Sequence, residues 1–305
     1  MAEHYRLREF LGPRYWPSWL GLLCMRLLAP LPLPVIVLIG GVLGELLYFS
    51  MPGRRHITLT NLRACFPELT PGQQRRLAHA HFRAMAQATL TVPIVWWGSG
   101  ARLRRLVQRR GEEFLRQALA EKRAVILLSA HFVAIEMGGV SLSRDYPLID
   151  MYKRPKNRLF DYLLRRRRTR FIGRLVERRE GIRPVLRAMK EGGIFLYLTD
   201  QDQGREGAVF APFFDIQTAT ISGLSRVAAL TRAVVIPCFM RVLPWGRGYE
   251  VIFQPPLENF PTDAAMADTT RMNKILEDAV RQMPEQYFWS HRRFKTRPEG
   301  EGPFY

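Results

Sequence analysis

In the stretch LLSAHFVAIEMGG, residues 127–139, His131 ends an apolar run and Glu136 follows it by five residues. An imidazole held by a carboxylate through one ring nitrogen keeps the other free to accept a proton, which is general-base chemistry. The spacing alone is weak support, because composition supplies it by chance and His4 with Glu9 repeats it. His4 sits in a charged segment with no strand before it and reads as a solvated surface residue. His131 follows a buried-strand candidate and precedes a helix-compatible stretch, at the edge where open α/β sheets take ligands. Five residues on one continuous helix would leave the side chains about 140° apart. The pair can therefore meet only if His131 lies in the turn and Glu136 on the helix. A hydrogen-bonded structural histidine is the competing reading.

A base without its own nucleophile suggests direct transfer, in which a substrate hydroxyl is deprotonated and attacks an activated acyl group. No G-x-S-x-G elbow is present, and Cys24, Cys65 and Cys238 have no plausible partner, so a covalent acyl-enzyme is not expected. The three cysteines are far apart, with no C-x-x-C and no histidine cluster at ligand spacing. No disulfide framework, metal or other cofactor is expected. Such a transfer needs cations or N–H groups for a developing oxyanion and for anionic substrates. The run MYKRPKNRLFDYLLRRRRTRF supplies Lys153, Arg154, Arg165, Arg166, Arg167, Arg168 and Arg170, whose helical phases send some to solvent and others toward a pocket. In YLTDQDQGREG, Asp200 and Asp202 either order arginines or a substrate group or close a loop as Asx turns. Thr220 is placed to cap the following helix, whose free N–H groups suit a phosphate.

The elements that must position these residues alternate. Apolar β-rich runs at Ala124–Ser129, Ile194–Thr199, Ala233–Phe239 and Tyr249–Phe253 are separated by helical patterns at Glu113–Ala120, Asp161–Phe171, Ile182–Glu191 and Ser222–Leu230. This alternation predicts an α/β fold with a mostly buried sheet flanked by helices. Asp263–Met283 reads as a last long helix. Residues 54–111 read as a helical lead-in, with Thr70, Pro71 and Gln73 forming a helix start. The expected organisation is an anchor at 1–50 and a domain at 51–305: lead-in 51–111, α/β core 112–290 and tail 291–305. The anchor rests on residues 16–49, interrupted by Arg26 and Glu45 and broken by Pro30, Pro32 and Pro34. Its cleanest run, Val35–Phe49, makes about 22 Å of helix against a hydrocarbon core of roughly 30 Å. A span, a re-entrant anchor on the cytoplasmic face and a hydrophobic hairpin packed on the body all remain open.

The motifs SAHFVAIEMGG, YKRPKNRLFD, DQDQG, PFF with TAT, and the C-terminal PEQYFWSHRRFKTRPEGEGPFY together resemble the late acyltransferases of lipid A biosynthesis, the lauroyl/myristoyltransferase family. The resemblance runs in order from about residue 54 to the C-terminus. It implies a glycerolipid-acyltransferase-like mixed sheet and an enzyme of the inner membrane with its site on the cytoplasmic face. The donor would be an acyl carrier protein thioester, and the acceptor a hydroxyl on a hydroxyacyl chain of a lipid A precursor. By the same likeness His131 is the base and Glu136 its orienting carboxylate. Arg168 and Arg170 match the arginines that follow the family's Y-R-P segment, Arg154 lies in that segment, and Asp200 opens the D-x-D-x-G loop. Here the segment reads YKRPKNRLF, so either Lys153 or Arg154 is the equivalent.

Lys and Arg number 46 against 27 Asp and Glu, a formal charge of +19 that calls for anionic partners. An acidic carrier protein and a phosphorylated lipid both meet that need. A nucleic-acid binder would show basic stretches interleaved with aromatics, which this chain lacks. A glycerolipid acyltransferase would show an F-P-E-G-T-R-like motif, also lacking, whereas an acyl-CoA-dependent glycolipid or phospholipid acyltransferase is the nearest alternative. In an acyl-transfer assay, His131→Ala and Glu136→Ala are expected to abolish turnover in folded protein, and His4→Ala to change little.

Overall fold

The computed structural model describes residues 7–305; His4 therefore lies outside the described residues. Two apolar helices open the fold, α1 (Trp16–Leu28) and α2 (Leu33–Ser50), with Pro32 ending the loop between them. Helix α3 (Pro52–Cys65) follows, then α4 (Pro71–Trp97). The expected helix start is present: Thr70 and Gln73 cap α4 reciprocally, with Pro71 at the first position. After α5 (Gly100–Leu106) the chain enters an alternating region. It runs β1 (Val107–Arg110), α6 (Glu112–Ala120), β2 (Val125–Ser129), α7 (Ile135–Leu142), β3 (Leu148–Tyr152), α8 (Arg158–Arg168), β4 (Arg174–Glu177), α9 (Arg183–Lys190) and β5 (Ile194–Leu198). A hairpin of β6 (Ala208–Phe213) and β7 (Ile216–Ile221) precedes α10 (Gly223–Thr231), β8 (Val234–Val242), β9 (Tyr249–Phe253) and α11 (Ala265–Gln282).

Among the described residues the main sheet has the order β1-β9-β8-β2-β5-β3-β4, parallel except where β8 meets β9. The mixed α/β architecture is as expected, and β2 is buried along its whole length, as a strand covered on both faces should be. Side chains alternate between two apolar clusters, one on each face. Ile126, Leu128, Phe195 and Val235 join α9, α10 and α11 on one face. Val125, Leu127, Leu196 and Ile236 join α6, α7, α8 and the start of α2 on the other.

Five strands went unforeseen: β1, β3, β4 and the hairpin pair β6 and β7. β1 reads VQRR and is a half-exposed edge strand, so it lacks the apolar run of a central strand. β3 and β4 are short and carry Asp150, Arg174 and Glu177, which hide the alternation. The hairpin turns at Phe214 and Asp215, both at positive φ, a two-residue turn made without the usual glycine. Thr220 consequently lies inside β7 rather than at a helix start, and α10 begins after Ser222 with no side-chain cap.

α2 runs against α4 at close range. A Cβ added at Gly40 would sit 2.7 Å from the Gln87 backbone, and one at Gly44 would sit 2.4 Å from that of Arg83. Glu45 ties the same pair of helices through His79 at 2.6 Å and Arg83 at 2.6 Å. The opposite faces of α1 and α2 expose Leu20, Leu23, Leu27, Leu38, Val42 and Leu46. Gly41 is the internal control, since a Cβ there meets only the Gln87 side-chain nitrogen at 3.9 Å. Gly41→Ala should be neutral or stabilising by up to about 1 kcal/mol. Gly44→Ala should destabilise by about 1–3 kcal/mol in equilibrium unfolding, because the intruding methyl meets backbone that cannot swing away.

Candidate functional site

The site follows from strand register. β2 and β5 are parallel neighbours with Ser129 opposite Leu198. Two residues past each of these stand His131 and Asp200, so the sheet delivers both side chains to its C-terminal edge. Asp200 accepts two hydrogen bonds from His131, one from the backbone N–H at 2.9 Å and one from Nδ1 at 2.7 Å. Nδ1 therefore carries a proton, and Nε2 has no hydrogen-bond partner among the described residues. Burial alone would raise the Asp200 carboxyl, but the imidazole charge and its hydrogen bonds hold it down at about 2. Burial works against an imidazolium at His131, yet the Asp200 charge wins and raises its pKa above the ordinary histidine value. The buried Tyr287 phenol and Arg293 guanidinium also interact with Asp200.

Glu136 does not orient His131. It does lie in the first turn of α7 with His131 in the preceding turn, but its carboxylate faces Arg168 instead. Arg168 donates to both its oxygens, through Nε at 3.2 Å and through Nη2, and the Trp96 indole adds a donor at 3.3 Å. A forked guanidinium matches both carboxylate oxygens at once, which a single imidazole nitrogen cannot do. Arg168 reaches a second acid too, Asp150 on β3, at 3.2 Å. Burial raises the Asp150 carboxyl to about 6 despite that partner, with Glu136 adding to the rise. Arg168 itself is held firmly charged: burial disfavours the cation, but Glu136 and Asp150 more than compensate.

The remaining expected site residues separate. Arg154 pairs at 3.1 Å with the buried Asp161, which also accepts from the Tyr152 hydroxyl, so it braces the start of α8 rather than facing the histidine. Arg170 donates to the Gly98 carbonyl at 2.8 Å and closes the end of α4, where carbonyls lack helical partners. Of the pair Lys153 and Arg154, the lysine lines the cavity described below. Asp202 takes the loop-closing role, accepting from Gly204 N–H at 3.0 Å and from Thr296. The C-terminal segment clasps the site loop: Val133 N–H donates to the Gln286 carbonyl, and Phe132 bridges Tyr287.

His131, Glu136, Asp150 and Arg168 share one cavity of about 850 Å³, in the range of small-molecule sites. Its walls are largely aliphatic, including Ile135, Leu148, Leu164, Leu186, Leu196 and Val227. Asp150 was missed because its strand was missed. The Asp200–His131 contact was missed because chain spacing, rather than the equal offset of both residues from two neighbouring strands, guided the pairing.

An apolar cavity with a histidine–aspartate pair at its edge suits the handling of a fatty chain beside a proton acceptor. Bacterial lipid A biosynthesis acyltransferases, as a family, match residues 4–296. The lipid A biosynthesis lauroyltransferase of Escherichia coli is 35% identical over 291 residues, covering 95% of this chain and 95% of that protein. The palmitoleoyltransferase of the same organism is 33% identical over 299 residues, covering 98% and 97%. Its myristoyltransferase is 30% identical over 301 residues, covering 96% and 91%. The similarity thus takes in the strands, the histidine turn and the clasping C-terminal segment together, and the chain belongs to the bacterial lipid A biosynthesis acyltransferase family.

Proposed function

We propose that this acyltransferase moves a fatty acyl chain from an acyl carrier protein thioester to a hydroxyl on a hydroxyacyl chain of a lipid A precursor. His131 acts as general base. The observation that carries the reading is the His131–Asp200 pair, protonated on Nδ1 and open at Nε2, at the edge of an apolar cavity. Nε2 takes the proton of the acceptor hydroxyl as its oxygen attacks the thioester carbon. The new C–O bond forms and the C–S bond breaks, and the proton passes from Nε2 to the departing thiolate. Asp200 fixes the tautomer and stabilises the transient imidazolium. Arg168, held by Glu136 and Asp150, is a cation placed in the cavity for the oxyanion or for an anionic group of a substrate. Glu136 thereby acts through Arg168.

The chain works from the membrane surface, on the cytoplasmic side. α2 is apolar and 18 residues long, enough to be considered for a crossing. Its contact with α4 along Gly40 and Gly44, and the Glu45 pairs, favour an arrangement in which both helices stay with the body. The exposed leucines of α1 and α2 then enter one leaflet, with Trp16 and Trp19 at the interface.

Turnover with acyl carrier protein thioesters and lipid A precursors, set against the same chains on coenzyme A, tests the donor and the acceptor together. Asp200→Asn should lower kcat by about 10²–10⁴-fold. The acid limb of the pH–rate profile carries the sign: His131 must be neutral, and its pKa is raised by Asp200. Removing that charge should move the limb to lower pH, and a limb that stays put would exclude His131 as the base. For the anchor, Leu38→Glu with Val42→Glu should release the protein from anionic vesicles while the purified enzyme keeps its fold.

A further inference from the structure

The cavity touches both apolar clusters, although a continuous sheet lies between them. Leu186, Phe195, Tyr197 and Val227 line it from the face of α9 and α10. Val140, Leu148, Leu164, Leu196 and Leu198 line it from the face of α7 and α8. A sheet opens only where neighbouring strands part, and β3 and β5 do so. Their pairing ends with Asp150 opposite Leu196. β5 then continues through Tyr197 and Leu198 against β2 alone, and β3 through Met151 and Tyr152 against β4 alone. The fork lies at the C-terminal edge, with Asp150 at its apex and His131 lining the same space.

We infer that the cavity is two lobes joined through this fork, one for each fatty chain, with the donor acyl chain on the α9/α10 face and the acceptor's acyl chain on the α7/α8 face. The assignment rests on the proposed reaction, which brings two chains to one histidine, and charge and position decide which lobe takes which. The α9/α10 side is rimmed by Arg178, Arg183 and Arg226, all exposed and none in an ion pair among the described residues. Arg174 beside them is already taken by Glu191 at 2.5 Å. Free cations at a mouth facing solvent suit a soluble acidic carrier and the phosphate of its prosthetic arm. The α7/α8 face is the one against which the anchor packs: Asn157 at the start of α8 donates to Ser18 of α1 at 2.8 Å, and Leu22 and Ile36 share its cluster. A lipid already in the bilayer reaches that lobe without leaving the surface.

Two substitutions narrow the lobes separately. Gly139 lines the α7 lobe, and a Cβ there meets only Leu196 at 3.8 Å, so Gly139→Leu fills the lobe with little backbone cost. Leu186→Trp fills the other. Equilibrium binding of each substrate alone to the full-length enzyme is the readout, which makes the result independent of how His131 works. Leu186→Trp should weaken long-chain acyl carrier protein thioesters by about tenfold or more relative to short-chain ones, leaving lipid A precursor binding within about twofold. Gly139→Leu should do the reverse. Both variants weakening the same substrate would mean one continuous tunnel for one chain, and the crossed pattern would mean that the lobes are assigned the wrong way round; either overturns the inference. A thermal unfolding curve matched to wild type, and the retained binding of the other substrate, guard against simple misfolding.

Discussion

Asp200 keeps a negative charge where water scarcely reaches, at 2% exposure, and its neighbourhood is organised around that charge. A dry carboxylate is costly unless donors surround it. Here the donors from the turn after β2 are a backbone N–H and an imidazole, and the C-terminal segment adds the Tyr287 phenol and the positive charge of the buried Arg293. The stabilisation runs both ways. The same contacts that let the carboxylate stay charged fix the imidazole's tautomer and its direction, so orientation of the imidazole comes with satisfaction of the acid. Distant parts of the chain are thereby bound to one small turn.

A second charge group sits beside the first with a different character. Glu136 and Asp150 share one guanidinium, and burial, with Glu136 beside it, pushes the Asp150 carboxyl up to about 6 despite that partner. Its place at the parting of β3 and β5 is physically sensible, because a strand that has lost its neighbour leaves backbone groups unpaired. Polar side chains can serve them there, which an aliphatic residue could not. The polar apex and the aliphatic lobes are thus two consequences of one break in hydrogen bonding.

Much of this was legible in the residues. The central strands are apolar and unbroken and announce themselves, as do the Thr70 cap and the histidine at the end of a strand. What was not legible is what depends on strand order. Sequence places Glu136 five residues from His131 and Asp200 sixty-nine away, yet the register of β2 against β5 makes the distant acid the partner. The arginines in and around α8 show the same limit. Composition marks them as one basic run, but packing gives Arg154 to Asp161, Arg170 to the end of α4 and only Arg168 to the cavity. Short strands with charged residues, β1, β3 and β4, carry too little periodicity to be seen without their neighbours.

The glycine contact between α2 and α4 bears on how the enzyme can be handled. It is tempting to treat an apolar N-terminal segment as a detachable tether and to cut it away for a water-soluble fragment. In this fold the cut would strip cover from α4, whose Phe82, Ala86 and Ile94 are buried now and lie on the helix that α2 overlies. One greasy surface would be exchanged for another, and the new one would belong to the helix that carries Trp96, a donor to Glu136. The segment is a wall of the folded body as well as the proposed membrane contact, and a soluble form is better sought by repainting its outward leucines than by removing it.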